Sequence, residues 1–586
     1  MYNNSQHTFR THDQTELFYQ HWESFSQKNS PNANKKAIIL FHRGHEHSDR
    51  MAHLVDELKL TDFDFFAWDA RGHGDSPGAR GDSPSFSACV KDIQYFLQHI
   101  QHQYNIDENN IAIIGQSVGA VLSATWVHDY APKIRALCLA SPAFDIKLYV
   151  PFAEPGLRVL NHIKGNFFIQ SYVKSSMLTH DKERAQTYDT DPKIARSISV
   201  RMLLGLYDAS KRIVADAQNI FVPTQVLCSG SDFVVQQKPQ RDFYDKLPHP
   251  QKEFHVLDGF YHDTLGEKNR AVAIDKIKRF ITQCFASPYQ APDLLHADKI
   301  GSSCAIAETL SAPLPHKSAK YLFWQITKKN LKIGSLLSKG LKIGEDTGYD
   351  SGSTLDFVYR NQTESQNPIG KIIDRQYLNA IGWRGIRIRK ENIEQLFQKY
   401  AKALIENNQP IRILDIASGH GRYILDAVQQ LPQLPNSVLL RDYSEINVKA
   451  GQQMIQERGL EHIAQFVQAD AFDTQSIASI DPRPTLGVVS GLYELFSDND
   501  LLRRSLNGLS QAIEKNGYLI YTGQIWHPQQ EFIARALTSH REGDAWVMRL
   551  RSQAEMDALV EAAGFKKVDQ NIDDFGIFTV SVAQKL

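Results

Sequence analysis

The stretch IAIIGQSVGAVLSA, residues 111–124, decides the fold of the first half of this 586-residue chain. An apolar run leads into Gly115, Ser117 stands between two glycines, and small and apolar residues follow. That pattern specifies a strand buried on both faces, a sharp turn and a helix packed on the sheet. Working outward, KAIILFH (36–42), DFFAWDARG (64–72), ALCLASP (136–142), TQVLCSGSD (224–232) and EFHVLDG (253–259) read as further buried strands, most of them separated by helix-length intervals. Strands of this kind alternating with helices build a parallel sheet covered on both faces, so the fold class is α/β.

In such a sheet the chemistry sits at the carboxyl ends of the strands. Gly115-Gln116-Ser117-Val118-Gly119 fits the GxSxG nucleophile elbow, with Ser117 on the turn. Asp232 closes a later strand and His262 follows in LDGFYHDTL, giving the chain order Ser, Asp, His. A serine hydroxyl is a weak nucleophile, so His262 is the expected general base and Asp232 the group that fixes its tautomer. Val118, directly after the nucleophile, and Gly44, in the loop after the first strand, are the expected backbone donors of the oxyanion hole.

FHRGHEHSDR, DARGHGDSPGARG, GQSVG, SGSDFVV and YHDTLGE together resemble the monoacylglycerol lipase and lysophospholipase branch of the α/β-hydrolases, across roughly residues 10–286. The resemblance implies an acyl-ester substrate and a triad of Ser117, Asp232 and His262. It also implies a cap over an acyl pocket, at about residues 143–222. The family has His-Gly where this chain has His42-Arg43, so an arginine is expected beside the oxyanion loop, narrowing the pocket or meeting an anionic group.

His42, His45, His47 and His53 have no metal-ligand spacing and are expected to shape the oxyanion loop, so no metal is assigned. Asp69, Arg71, Gly72, His73 and Gly74 are expected to hold a tight loop. The formal net charge of −1 gives no pull toward nucleic acid. Five scattered cysteines without a CxxC pair point to a reducing compartment. The first residues lack a signal-peptide pattern and no stretch approaches eighteen apolar residues. A cytoplasmic protein is expected.

Residues 287–345 interrupt the strand–helix rhythm and read as a linker. Its part 316–344 holds seven lysines, no acid, and Tyr321, Phe323 and Trp324. That composition suits either a solvated helical face or peripheral contact with an anionic membrane.

At IRILDIASGHGRYILDAV (411–428) a second α/β rhythm begins, in a domain expected over 346–586. A dinucleotide fingerprint would need a glycine where Ile424 stands. The DxxxGxG loop, formed by Asp415, Gly419 and Gly421, instead resembles that of class I S-adenosylmethionine-dependent methyltransferases, with Ala417 at the family's usual first glycine. By that resemblance the cofactor is S-adenosylmethionine, with Asp442 at the ribose hydroxyls and Asp470 at the adenine amino group. LGVVSGLYELF and GYLIYTGQ continue the sheet, and the final residues read as its antiparallel closing pair. The segment before the cofactor loop is where many such enzymes carry an acceptor-recognising lid, and Tyr493 and Glu494 are catalytic candidates by position. The chain thus resembles a fusion of an α/β-hydrolase with a methyltransferase of unspecified acceptor. The alternative is a hydrolase with a non-catalytic, cofactor-binding second domain.

Overall fold

The computed structural model describes residues 2–24, 35–541 and 543–586. The chain forms two compact units, Met1–Pro292 and Asp293–Leu586.

The first unit is built on a twisted eight-stranded sheet. Its strands are β1 (Tyr2–Arg10), β2 (Glu16–Ser24), β3 (Ala37–Phe41), β4 (Asp64–Trp68), β5 (Ile111–Gln116), β6 (Ala136–Ala140), β9 (Thr224–Ser229) and β10 (Lys252–Leu257), in the order β1-β2-β4-β3-β5-β6-β9-β10. From β4 to β10 neighbours run parallel, and β3, β4, β5, β6 and β9 are buried at every position, as their unbroken apolar runs require. The short pair β7 (Phe168–Gln170) and β8 (Ser197–Ser199) lies in the segment between β6 and β9. That segment also carries helices Ala153–Lys164, Lys182–Thr190 and Val200–Ala215. The last of these buries Leu203, Leu206, Tyr207 and Ile213 and belongs to the packed body of the unit, whereas Ala153–Lys164 buries nothing. Cys89, Cys138, Cys228 and Cys284 are buried in this unit, and Cys304, in the second, is partly exposed.

The second unit has a seven-stranded sheet of β11 (Arg412–Ile416), β12 (Ser437–Asp442), β13 (Ala464–Gln468), β14 (Leu486–Val489), β15 (Tyr518–Gln524), β16 (Phe565–Ile572) and β17 (Phe578–Lys585). Their order is β13-β12-β11-β14-β15-β17-β16, parallel except for β17, which runs antiparallel to both of its neighbours. Ile393, Phe397, Ile424 and Val428 pack in one core layer, and Leu506, Leu509, Leu559 and Val560 in another. Chain order reverses between β12-β11 and β14, which makes the ends of β11 and β14 the natural ligand crevice.

Residues 287–345, expected as a linker, are largely structured. Helices Ser302–Ser311, Ala319–Ser335 and Lys339–Thr347 belong to the second unit. Their apolar spacing is helical, and Leu341 joins the cluster of Tyr349, Phe357 and Trp383. Composition alone hides this, because Ser302–Ser311 and Ala319–Ser335 bury no residue fully. No helix among the described residues is long and apolar enough to cross a membrane.

Candidate active sites

Ser117 follows β5 with φ 54° and ψ −112°, a conformation that a non-glycine residue adopts only under constraint. The two glycines make the turn possible. A Cβ on Gly119 would come 2.4 Å from the carbonyl oxygen of His42 and 2.5 Å from that of Phe41, and one on Gly115 would come 2.8 Å from Ala120 Cα. The serine is thereby presented at the tip of the sheet, heading helix Val118–Tyr130.

The triad residues are buried and connected. His262 Nδ1 lies 2.8 Å from Asp232 Oδ2, and His262 Nε2 lies 2.8 Å from Ser117 Oγ. A carboxylate only accepts, so the imidazole proton sits on Nδ1 and Nε2 is left to accept from the serine hydroxyl. Burial works against ionisation of Asp232. The charge and hydrogen bond of His262, with the backbone N–H groups of Val235 and Val234, outweigh it and hold the carboxyl below its ordinary value. Gly44 packs against Val118, a Cβ there lying 2.9 Å from Val118 Cγ2. The two expected oxyanion donors are therefore neighbours, and the Val118 N–H belongs to a first helical turn, where no intrahelical acceptor exists.

Arg43 does not do what its position in the sequence suggested. Its guanidinium is buried, pairs with Glu46 at 2.7 Å and with Asp263 at 4.0 Å, and stacks over Tyr188. Buried carboxylates of the chain already take its charge, which leaves none for an anion on a substrate. Asp263, unnoticed in the sequence, follows His262 and binds Arg184 of helix Lys182–Thr190 at 2.5 Å and Gln116 at 2.9 Å. Burial alone would raise its carboxyl, but Arg184 and Arg43 pull it far below the ordinary range.

The histidines of the first loop serve structure. His42 sits against the Arg43 carbonyl and accepts from the Ala70 N–H, His47 pairs with Asp191, and His53 reaches the Leu265 carbonyl. Burial pushes His42 down to about 4 and His73 to about 3, keeping both neutral. Asp69 clamps its loop by accepting from the Ser48 and Asp75 N–H groups, and Gly74 is required because a Cβ would strike the Asp69 carboxylate at 2.0 Å.

In the second unit the loop after β11 alternates into left-handed geometry at Ala417 (φ 59°), Gly419 (φ 58°) and Gly421 (φ 75°). Ala417 thus holds a conformation that the family's glycine would adopt without strain, at a cost of about 1–2 kcal/mol. A Cβ on Gly421 would come 2.7 Å from Leu440 Cδ1, so β12 packs directly against the loop. Asp442, the last residue of β12, accepts from the Gly419 N–H at 2.8 Å through Oδ2, and from the Ser444 N–H and Asn447 side chain through Oδ1. With about four lone-pair sites on a carboxylate, one remains for a ribose hydroxyl without rearrangement. Asp470 lies two residues beyond β13, exposed, with Oδ1 accepting from the Phe472 N–H. Tyr443, 78% exposed beside Asp442, offers an aromatic face that the sequence reading passed over.

Asp415 is wholly buried. Burial pushes its carboxyl up to about 8; hydrogen bonds from Tyr423 and Ser418 oppose the rise and nearby Asp442 adds to it. Both of its oxygens lie 2.7 Å from the Tyr423 hydroxyl, so it anchors the start of the glycine loop. Tyr493 faces the core and shares a 3.0 Å hydrogen bond with Ser505, which removes it as a catalytic candidate. Glu494 lines a cavity of about 320 Å³, as do Tyr349, Leu355, Tyr377 and Trp383 from the segment expected to form a lid.

Family profiles match both halves of the chain. One described as "Serine aminopeptidase, S33" covers residues 32–269, and one described as "Putative methyltransferase" covers 277–585. An uncharacterized protein of Escherichia coli, YnbC, is 51% identical over 579 residues, 99% of this chain and 98% of its own. Monoglyceride lipase of Rattus norvegicus is 26% identical over 42% of this chain and 79% of the lipase. A solved monoacylglycerol lipase from Paleococcus ferrophilus aligns with 48% of this chain and 99% of its own at a TM-score of 0.40 and 20% identity. The chain belongs to the methyltransferase family of that second profile, with an α/β-hydrolase domain of lipase type preceding the methyltransferase domain.

Proposed function

We propose that the chain is a bifunctional cytoplasmic enzyme, in which a serine hydrolase of lysophospholipid- or monoacylglycerol-type esters is joined to an S-adenosylmethionine-dependent methyltransferase. The observation that carries the first activity is the unbroken relay Ser117–His262–Asp232, with both links at 2.8 Å. His262 takes the serine proton as Oγ attacks the ester carbonyl, and Asp232 stabilises the imidazolium. The Val118 and Gly44 N–H groups receive the oxyanion. His262 then returns its proton to the leaving alcohol, and water, activated by the same base, releases the acid. Tyr149, Val150, Phe152, Val159 and Ile163, all well exposed in the 143–222 segment, suit contact with an aggregated lipid substrate.

In the second domain the loop Ala417–Gly421 with Asp415, Asp442 and Asp470 would hold S-adenosylmethionine, which supplies an activated methyl group. The protein's part is alignment and exclusion of water. Exposed Leu322, Phe323, Ile326 and Ile333 on the lysine-bearing helix Ala319–Ser335 favour peripheral contact with an anionic membrane. A fluorophosphonate probe tests the hydrolase: one label per chain is expected, absent in Ser117→Ala, and undiminished esterase activity in that variant would overturn the assignment. Calorimetry with S-adenosylhomocysteine tests the other half, where no binding at millimolar ligand removes the methyltransferase reading.

A further inference from the structure

The 320 Å³ cavity of the second unit falls within the size range of small-molecule sites and opens among the segments that follow β14 and β15, under the helices that precede β11. Leu341, Leu355, Ile386, Phe532, Trp546 and Phe578 give it an apolar wall. Arg389, Glu494, Gln524 and His527 share that lining with Gln376, Gln529 and Asp350, whose carboxylate is already taken up by Ser539 and His540. Within that lining, among the described residues, Arg389 Nε, Glu494 Oε2, Gln524 Nε2, the Tyr377 hydroxyl and Trp546 Nε1 are buried without a hydrogen-bond partner. Such atoms are rare and costly in native proteins, and several converging on one apolar cavity point to a ligand that satisfies them.

The partners already made define the chemistry of that ligand. Glu494 Oε1 accepts from Thr522 at 2.8 Å and lies 3.6 Å from Arg389 Nη1, leaving Oε2 as an acceptor. His527 Nδ1 accepts from the Gln529 N–H, so its other nitrogen carries the proton; burial holds the ring down at about 4 and hence neutral. The cavity therefore presents donors from Arg389, Gln524, His527 and Trp546, the Tyr377 hydroxyl, and Glu494 Oε2 as its unpartnered carboxylate acceptor. A hydroxyl donates and accepts at once and satisfies both kinds. A carboxylate would face Glu494 with like charge, and a hydrocarbon would leave every one of these groups unsatisfied.

We propose that this cavity is the methyl-acceptor site and takes an apolar molecule bearing one hydroxyl, with Glu494 as the proton acceptor; the proposal rests on the methyltransferase reading above. The hydroxyl oxygen forms the new bond to the methyl carbon as the carbon–sulfur bond of the methylsulfonium donor breaks. The bonding pair stays on sulfur, and the hydroxyl proton passes to Glu494 Oε2. Gly491, in the same lining, follows β14, the neighbour of β11, whose end opens the glycine loop, so acceptor and donor crevices adjoin at the switch point of the sheet.

The test uses the full-length protein saturated with S-adenosylhomocysteine and para-hexylphenol as probe, with binding read by calorimetry. One equivalent is expected to bind. Para-hexylanisole, which has no proton to donate, should bind at least about tenfold more weakly. Leu355→Trp, at a partly buried lining position, should weaken the phenol by a similar factor. Glu494→Gln should keep phenol binding while transfer of a labelled methyl group to it falls about 10²–10⁴-fold. Binding of S-adenosylhomocysteine without saturable phenol binding overturns the proposal and spares the methyltransferase reading. Preference for para-hexylbenzoate, or a bound phenol left unmethylated by the wild type, overturns the hydroxyl assignment. Absence of S-adenosylhomocysteine binding removes the underlying reading and the proposal with it.

Discussion

The two candidate sites of this chain differ in how much of their chemistry is already assembled. In the first unit every side chain of the proposed triad has its partner: Ser117 to His262, His262 to Asp232, and Asp232 to two backbone N–H groups. In the second, Glu494, Arg389 and Gln524 each keep a buried atom without one, and Asp415 is buried and hard to ionise. The difference follows from the reactions proposed. A serine hydrolase must generate its own nucleophile and so builds the relay into the fold. A methyltransferase receives both reacting groups from outside and needs only to hold them.

The largest effect that would sharpen this contrast is at Ser117. Replacement by alanine should lower kcat for ester hydrolysis by on the order of 10⁶, with binding of S-adenosylhomocysteine unchanged. Next is Arg43, whose role here is structural. Arg43→Ala takes one of two arginines from Glu46, leaving Arg50, and should cost about 1–3 kcal/mol in denaturant unfolding, while the preference between neutral and anionic esters stays as it was. A switch in that preference would return Arg43 to the substrate pocket.

A further effect is set by pH and is gradual, small at any one step. Asp415 has an ordinary value of 3.8 and a folded value of about 8, so between these the folded unit holds a proton that the unfolded chain lacks. Stability of the second unit should therefore fall as pH rises from about 4 to about 8, by up to about 1.4 kcal/mol per pH unit. Asp415→Asn should flatten that dependence in urea titrations, and an unchanged slope would show that Asp415 does not titrate there. The smallest effect is at Asp442, where replacement by alanine should weaken S-adenosylhomocysteine about tenfold, one charge-assisted hydrogen bond's worth, with esterase activity intact.

The same contrast explains what was legible in the sequence. Buried strands announce themselves as apolar runs, and a triad announces itself because each member closes a strand or a tight loop. Ser117, Asp232 and His262 therefore come together as expected. β1 escapes notice because it is an edge strand with one fully buried residue, Phe9, and so carries little periodic signal. The setting of Arg43 was half legible: Glu46 stands three residues on, but Asp263 lies far along the chain, and a contact across that span leaves no local trace. The glycine loop, the succession of strands and the antiparallel closing pair of the second unit were readable. The cavity was not, since Arg389 comes from a helix before the sheet and Glu494 and Gln524 from the ends of two later strands.

The placement of the cysteines has a practical consequence. Burial raises the thiols of Cys89, Cys228 and Cys284 to about 12, where almost no thiolate exists at neutral pH, and Cys138 is buried with them. Cys304 alone is partly exposed, and it lies in the other unit. A maleimide dye at neutral pH should thus mark the native chain once, at Cys304. Further incorporation then clocks the opening of the hydrolase unit by itself, without engineered labels.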